Sequence, residues 1–192
     1  MARRVAGQAW RVGRAGVAIA AILAGAAHAQ VTPNAAPPAA FDREAYSEPV
    51  LTARLVELVN ATRAEARDCG STRFAAAPAL RRHPQLDAAA GAHARDLAAQ
   101  GIFELQGSDG STTATRVERA GYRWSGVGEN LIDRHLTPEP IVENWLDDPV
   151  QCSNIMHPAF TEVGAARSPW EPGSRARIVW SLVVARPRGP AR

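Results

Sequence analysis

Apolar residues fall into two kinds of pattern along this chain, helical spacing first and strand-like runs last. Leu51, Leu55, Leu58 and Val59 recur at the period of a helix, which predicts a first helix over about 48–67. Gly70, directly after Cys69, suits its stop. Leu86, Ala89, Ala90, His93 and Leu97 form a second stripe over about 85–100, closed by Gly101. Its many alanines let a neighbouring element approach closely. A short third helix fits Thr112 to Ala120 and stops at Gly121. Thr137 as cap and Pro138 at the first helical position open a fourth over about 138–147, with Ile141, Val142 and Trp145 on its apolar face.

Strand signals come late. Phe160 to Ala165 and Ile178 to Ala185 are apolar and β-branched, and Ser168 to Ser174 carries the Pro and Gly of a connecting loop. A third short strand fits Gly128 to Ile132. Helices followed by strands predict an α+β domain, with a small antiparallel sheet covered by helices.

The amino-terminal stretch has a different character. Met1 to Gly16 holds four Arg and no acid, Val17 to Ala27 is apolar, and Ala27-His28-Ala29 supplies small residues before a cut. That order predicts a secretory signal peptide over 1–29, leaving Gln30 first. Residues 30–49 are rich in Pro and Ala and read as a linker, 50–187 as the domain, and 188–192 as a tail.

This changes the meaning of the charge. The 192 residues carry 22 basic and 19 acidic side chains, for a net charge of +3. Every basic one is Arg. Removing the four leader arginines leaves 18 against 19 acids, a net of −1. No overall basic excess remains to attract nucleic acid. The length excludes a two-domain cofactor enzyme. No apolar run is long enough for a spanning helix.

Two cysteines, Cys69 and Cys152, fit an oxidising compartment as a disulfide, or a core as two buried thiols. No Cys or His spacing builds a zinc site. Gly107-Ser108-Asp109-Gly110-Ser111 reads as turn chemistry, because the Lys of a phosphate loop and the acids of a calcium loop are missing. No Gly-x-Ser-x-Gly elbow announces a serine hydrolase. His93 shares an apolar stripe and reads as a packed, hydrogen-bonded core residue. Asn60-Ala61-Thr62 matches a glycosylation sequon but falls inside a helix, so Asn60 reads as structural. Glu129, between Gly128 and Asn130 in an apolar segment, predicts a partly buried carboxylate that needs partners or a cation.

Taken in order, these motifs resemble a known family. Leu58-Val59-Asn60 with Arg63, Cys69-Gly70, His93-Ala94-Arg95-Asp96-Leu97-Ala98 and the Gly107–Ser111 loop come first. Ala120-Gly121-Tyr122, Gly128-Glu129-Asn130-Leu131, Trp145, Cys152-Ser153-Asn154-Ile155-Met156 and Phe160-Thr161-Glu162-Val163-Gly164 follow. The series is similar to the CAP superfamily of cysteine-rich secretory, antigen 5 and pathogenesis-related proteins, in its compact bacterial branch, over about residues 50–187. The resemblance implies an α-β-α sandwich, secretion, a central cleft, and pairing of Cys69 with Cys152.

In many members two His and two acids of the cleft can hold a divalent cation. Here the first His position is Leu105 and the second is Gln151, while Glu129 is kept and Asp148 matches the remaining acid. Leu cannot ligate and Gln ligates poorly. No cofactor or metal is therefore expected. The resulting expectation is an exported, non-catalytic module binding a lipid or a small hydrophobic or peptide ligand. Glu129, Asp148, Gln151 and Leu105 would form the cleft, with Glu162 nearby. The competing expectations are an envelope hydrolase or protease using Glu129 as general base, and a structural envelope protein with a vestigial cleft. Metal analysis of the purified mature protein is expected to find no stoichiometric zinc. One zinc per chain held through this cleft would overturn the degraded-site reading.

Overall fold

One helix crosses the central sheet at a point where no side chain fits between them. Both faces of that sheet are covered by helices. The computed structural model describes residues 44, 46–169 and 178–189; these belong to one compact unit, 41–192. The expected signal peptide and most of the linker lie outside the described residues.

The chain runs α1 (Glu48–Arg63), β1 (Arg67–Cys69), β2 (Thr72–Phe74), β3 (Arg81–Arg82), α2 (Pro84–Gln100) and α3 (Thr113–Arg119). It continues through β4 (Trp124–Asp133), α4 (Pro138–Asp147), α5 (Pro149–Met156), β5 (Glu162–Arg167) and β6 (Val179–Pro187). Four strands form the main sheet in the order β3-β5-β6-β4, and β1 and β2 make a separate hairpin. The architecture is α+β.

β5 is buried throughout, and β6 from Val179 to Ala185. Such continuous burial marks strands covered on both faces. Alternation along β6 divides the core. Trp180, Leu182 and Val184 join Val163 and Ala165 against α1, α4 and α5. Val183 and Ala185 join Ala166 against Leu86, Ala89 and Ala90 of α2 and Val117 of α3.

Several boundaries differ from the sequence expectation. The first helix stops at Arg63, because that residue turns its guanidinium inward. It donates to the carbonyls of Pro78 (2.8 Å), His157 (3.2 Å), Phe160 (3.1 Å) and Ile155. Of the residues expected as its last turn, 64–66 leave the helix as a turn and Arg67 begins β1. Gly70, at φ 59°, makes the hairpin turn rather than a helix stop. The sheet is mixed, since β3 runs parallel to β5; α2 to α5 supply the long crossover that a parallel pair requires. The strand expected over 128–132 extends to Trp124–Asp133. Thr137 occupies the cap of α4 without a side-chain bond. Helix α5 was not foreseen. It is eight residues long, capped by Asp148, whose Oδ1 accepts from Val150 N and Gln151 N (both 2.9 Å).

Other expectations hold. Cys69 and Cys152 form a disulfide tying β1 to α5. A loop closed across 83 positions removes about 4.5 kcal/mol of unfolded-chain entropy at most. Asn60 is structural: its amide bonds Leu80 O (3.1 Å) and accepts from Leu80 N (2.7 Å).

A Cβ on Gly164 would lie 2.1 Å from Leu86 C and 2.2 Å from Asp87 N, both backbone atoms of α2. Gly164→Ala must therefore push α2 off the sheet. The expected loss is about 3 kcal/mol, at the upper end for overpacking, read as a reduced Tm in thermal unfolding. An unchanged Tm would contradict the close crossing.

Candidate functional site

Residues of β4 alternate between the two faces of the sheet, and the site grows from that alternation. Glu129 points towards α2 and α3, while Asn130 points towards α5.

The Glu129 side chain is 1% exposed. Its Oε1 accepts from Ser181 Oγ of β6 (2.6 Å) and pairs with His93 Nδ1 of α2 (2.8 Å). Its Oε2 accepts from Thr113 Oγ1 (2.6 Å) and from the Arg116 guanidinium (2.7 Å), both on α3. Burial pushes this carboxyl up. The His93 bond, the charges of His93 and Arg116, and the Ser181 bond act the other way, and the net direction is below the usual 4.5. The bond to an ionised Glu129 puts a proton on His93 Nδ1, and Nε2 is buried with no partner among the described residues.

Arg116 carries the network outward. It also donates to Ser111 O (2.7 Å) and Leu105 O (3.0 Å). The 105–111 segment is thereby pinned from below. From outside, Asp96 accepts from Ser108 N (2.8 Å) and Ser108 Oγ (2.5 Å). Asp109 accepts from Ser111 N (2.9 Å), and Gly110 takes φ 77°. The Gly107–Ser111 segment is a turn, as its composition predicts.

On the other face, Asn130 Nδ2 donates to Gln151 O (2.9 Å), and Asn154 Nδ2 donates to Asn130 Oδ1 (2.9 Å). Gly128 makes room for this, since a Cβ there would lie 2.9 Å from Asn154 Oδ1. Trp145 Nε1 donates to Leu131 O (3.1 Å). These bonds hold the start of α5 beside β4.

Between the pinned segment and α5 opens a cleft of about 300 Å³. Phe103, Leu105, Leu131 and Val150 form its apolar walls, and Glu104, Asp148 and Gln151 its polar ones, with Glu129 beneath. Phe103 is 41% exposed, Leu105 59% and Val150 70%. Apolar side chains this open do not serve the core.

The structure thus brings Leu105, Glu129, Asp148 and Gln151 to one cleft. It does not bring Glu162 there. Glu162 begins β5, separated from β4 by β6, and bonds Tyr122 Oη (2.5 Å) and Arg81. Burial raises its carboxyl, those two partners lower it, and the net direction is down. It belongs to a separate ion pair that ties β3 to β5.

Sequence reasoning missed Arg116, Thr113 and Ser181. It read His93 as core without naming its partner. A buried Glu and a buried His each require a partner, and that rule could have paired them.

The residues present do not fit a divalent cation. Each Glu129 oxygen already accepts two hydrogen bonds, and Asp148 Oδ1 caps α5. Among the described residues no three His, Cys, Asp or Glu side chains converge. The same saturation leaves Glu129 no free oxygen with which to take a proton from water.

The profile of the cysteine-rich secretory protein family matches residues 56–184. The chain belongs to this family. Comparison with the sequences of curated proteins gives no match. Among solved structures, this family member is similar to an extracellular SCP-domain protein of Bacillus anthracis. That match has 18% identity over 79% of this chain and 45% of the other, with a TM-score of 0.61. An outer surface protein of Borrelia burgdorferi matches at 14% identity over 73% of this chain and 92% of that one, with a TM-score of 0.56. A cysteine-rich secretory protein of Staphylococcus aureus matches at 13% identity over 73% and 39%, with a TM-score of 0.53. At these identities the likeness shows a shared fold. The chain spans less than half the length of the Bacillus and Staphylococcus proteins.

Glu129→Gln removes the charge that buried Arg116 requires. Unpairing a buried ion pair costs about 3–5 kcal/mol, read in denaturant titration at pH 7. A carboxyl held below its unfolded value stabilises the fold above pH 4.5, and that contribution is lost as pH falls through the lower folded value. Wild type therefore loses this part of its stability only below pH 4.5, and Glu129→Gln lacks it at every pH. Equal stability of the two proteins at pH 7 would refute the network.

Proposed function

We propose that this chain is an exported, disulfide-bonded binding protein whose cleft holds an apolar ligand without chemically transforming it. The exposed apolar rim of Phe103, Leu105 and Val150 carries this reading. Leu105 stands where the family resemblance expects a metal-binding His, so the position offers surface for an apolar group. A cleft of about 300 Å³ is at the small end of ligand sites. It takes a chain or ring, not a large body.

Export is supported by the charged, apolar, small-residue order of 1–29 and by the Cys69–Cys152 disulfide. Among the described residues no helix is long and apolar enough to cross a membrane. General-base hydrolysis through Glu129 is disfavoured, because that carboxylate is buried and saturated with donors.

The neutral, apolar dye Nile red tests the reading. Saturable binding of one dye per chain is expected, seen as enhanced emission. The double variant Leu105→Asp with Val150→Asp is expected to weaken it about tenfold or more, since each side chain contributes roughly 1–2 kcal/mol of apolar contact. Both positions are exposed, so folding should survive. Undiminished dye binding in the folded double variant would place the ligand elsewhere.

A further inference from the structure

The charge of the cleft is one-sided. Its ionisable walls are Glu104 and Asp148, and no Arg, Lys or His is among its lining residues. The Arg116 guanidinium has its charge met by Glu129 and reaches the rim through the Leu105 carbonyl.

The unmet hydrogen-bonding capacity leans the same way. Gln151 Oε1 is buried, belongs to a residue lining the cleft and has no donor among the described residues. Asp148 spends Oδ1 on the α5 cap, and its Oδ2 takes no bond among the described residues. The two residues adjoin, since Gln151 N donates to Asp148 Oδ1 at 2.9 Å. Glu104 has no ion-pair partner among the described residues. The cleft therefore offers apolar walls and unmet acceptors. A fatty-acid carboxylate would meet two like charges and no cationic side chain. A ligand that supplies N–H donors and positive charge would satisfy each of these groups.

We propose that the cleft selects a small amphiphilic organic cation, its apolar part against Phe103, Leu105 and Val150 and its protonated amine at Asp148 and Gln151, facing Glu104. This rests on the cleft being the apolar binding site proposed above. It adds the sign of the ligand's charge.

Three eight-carbon probes with different head groups separate the two claims: n-octylammonium, n-octanol and octanoate. Each is titrated below its aggregation limit against the folded full chain at pH 7, by displacement of Nile red. Octylammonium is expected to act at about tenfold lower concentration than octanol, and octanoate to be weaker than both. The octylammonium advantage should shrink with added salt, as a partly exposed ion pair does. Asp148→Asn, which retains a capping oxygen, and Glu104→Gln, at an exposed loop position, should each reduce the octylammonium-to-octanol ratio. The two together should bring it towards one. Equal potency of octylammonium and octanol in wild type, or a ratio unmoved in the folded double variant, would overturn charge selection while leaving an apolar cleft. Failure of Nile red and of all three probes to bind would overturn the cleft reading itself.

Discussion

A carboxylate held away from water must bring its own solvent, and the fold is arranged around one such group. Four donors from three different elements replace water at Glu129: His93 from α2, Thr113 and Arg116 from α3, and Ser181 from β6. None is close to it in sequence. To place them, α2 must lie tightly on the sheet, and the alanines of α2 and the absent side chain of Gly164 allow that approach. In turn α3 must dock with its first turn facing inward. Once it does, the remaining guanidinium hydrogens of Arg116 fix the loop before it. Glu129 thus shapes the cleft from beneath through Arg116.

The opposite face of the sheet is secured differently. There the core is built from large side chains, Trp145 and Trp180 among them. Its polar bonds run largely from side chains to backbone, Trp145 to Leu131, Asn130 to Gln151 and Arg63 to four carbonyls, with Asn154 to Asn130 joining two side chains. The disulfide adds a covalent tie between the β1–β2 hairpin and α5. The cleft lies where the two halves meet along β4, so its two walls are held by unrelated means.

Much of the fold was legible because its signals are local. α2 carries a full apolar stripe with a Gly stop, and β5 and β6 are rich in apolar residues. α5 was illegible because eight residues between a proline and a histidine carry too little periodicity, although the Asp148-Pro149 pair is a helix-start signal. β3 was illegible because its two arginines gain strand character only from a neighbour some eighty positions later. The candidate site divides in the same way. Leu105, Glu129, Asp148 and Gln151 could be assembled by resemblance, position by position. Glu162 could not be excluded, since only the strand order separates it from β4. Arg116, Thr113 and Ser181 look like ordinary surface or strand residues until α3 is packed.

Arg63 has a bearing on when the molecule can become complete. Its guanidinium is fully enclosed, and its acceptors lie at positions 78, 155, 157 and 160. A ribosome delivers this arginine some ninety residues before most of the oxygens that receive it. Until then the charge has only the carbonyl of Pro78 and must stay in water. The end of α1 is consequently a late joint, closed by the carboxy-terminal third of the chain, and a truncated chain lacking that third has nowhere to put its innermost positive charge.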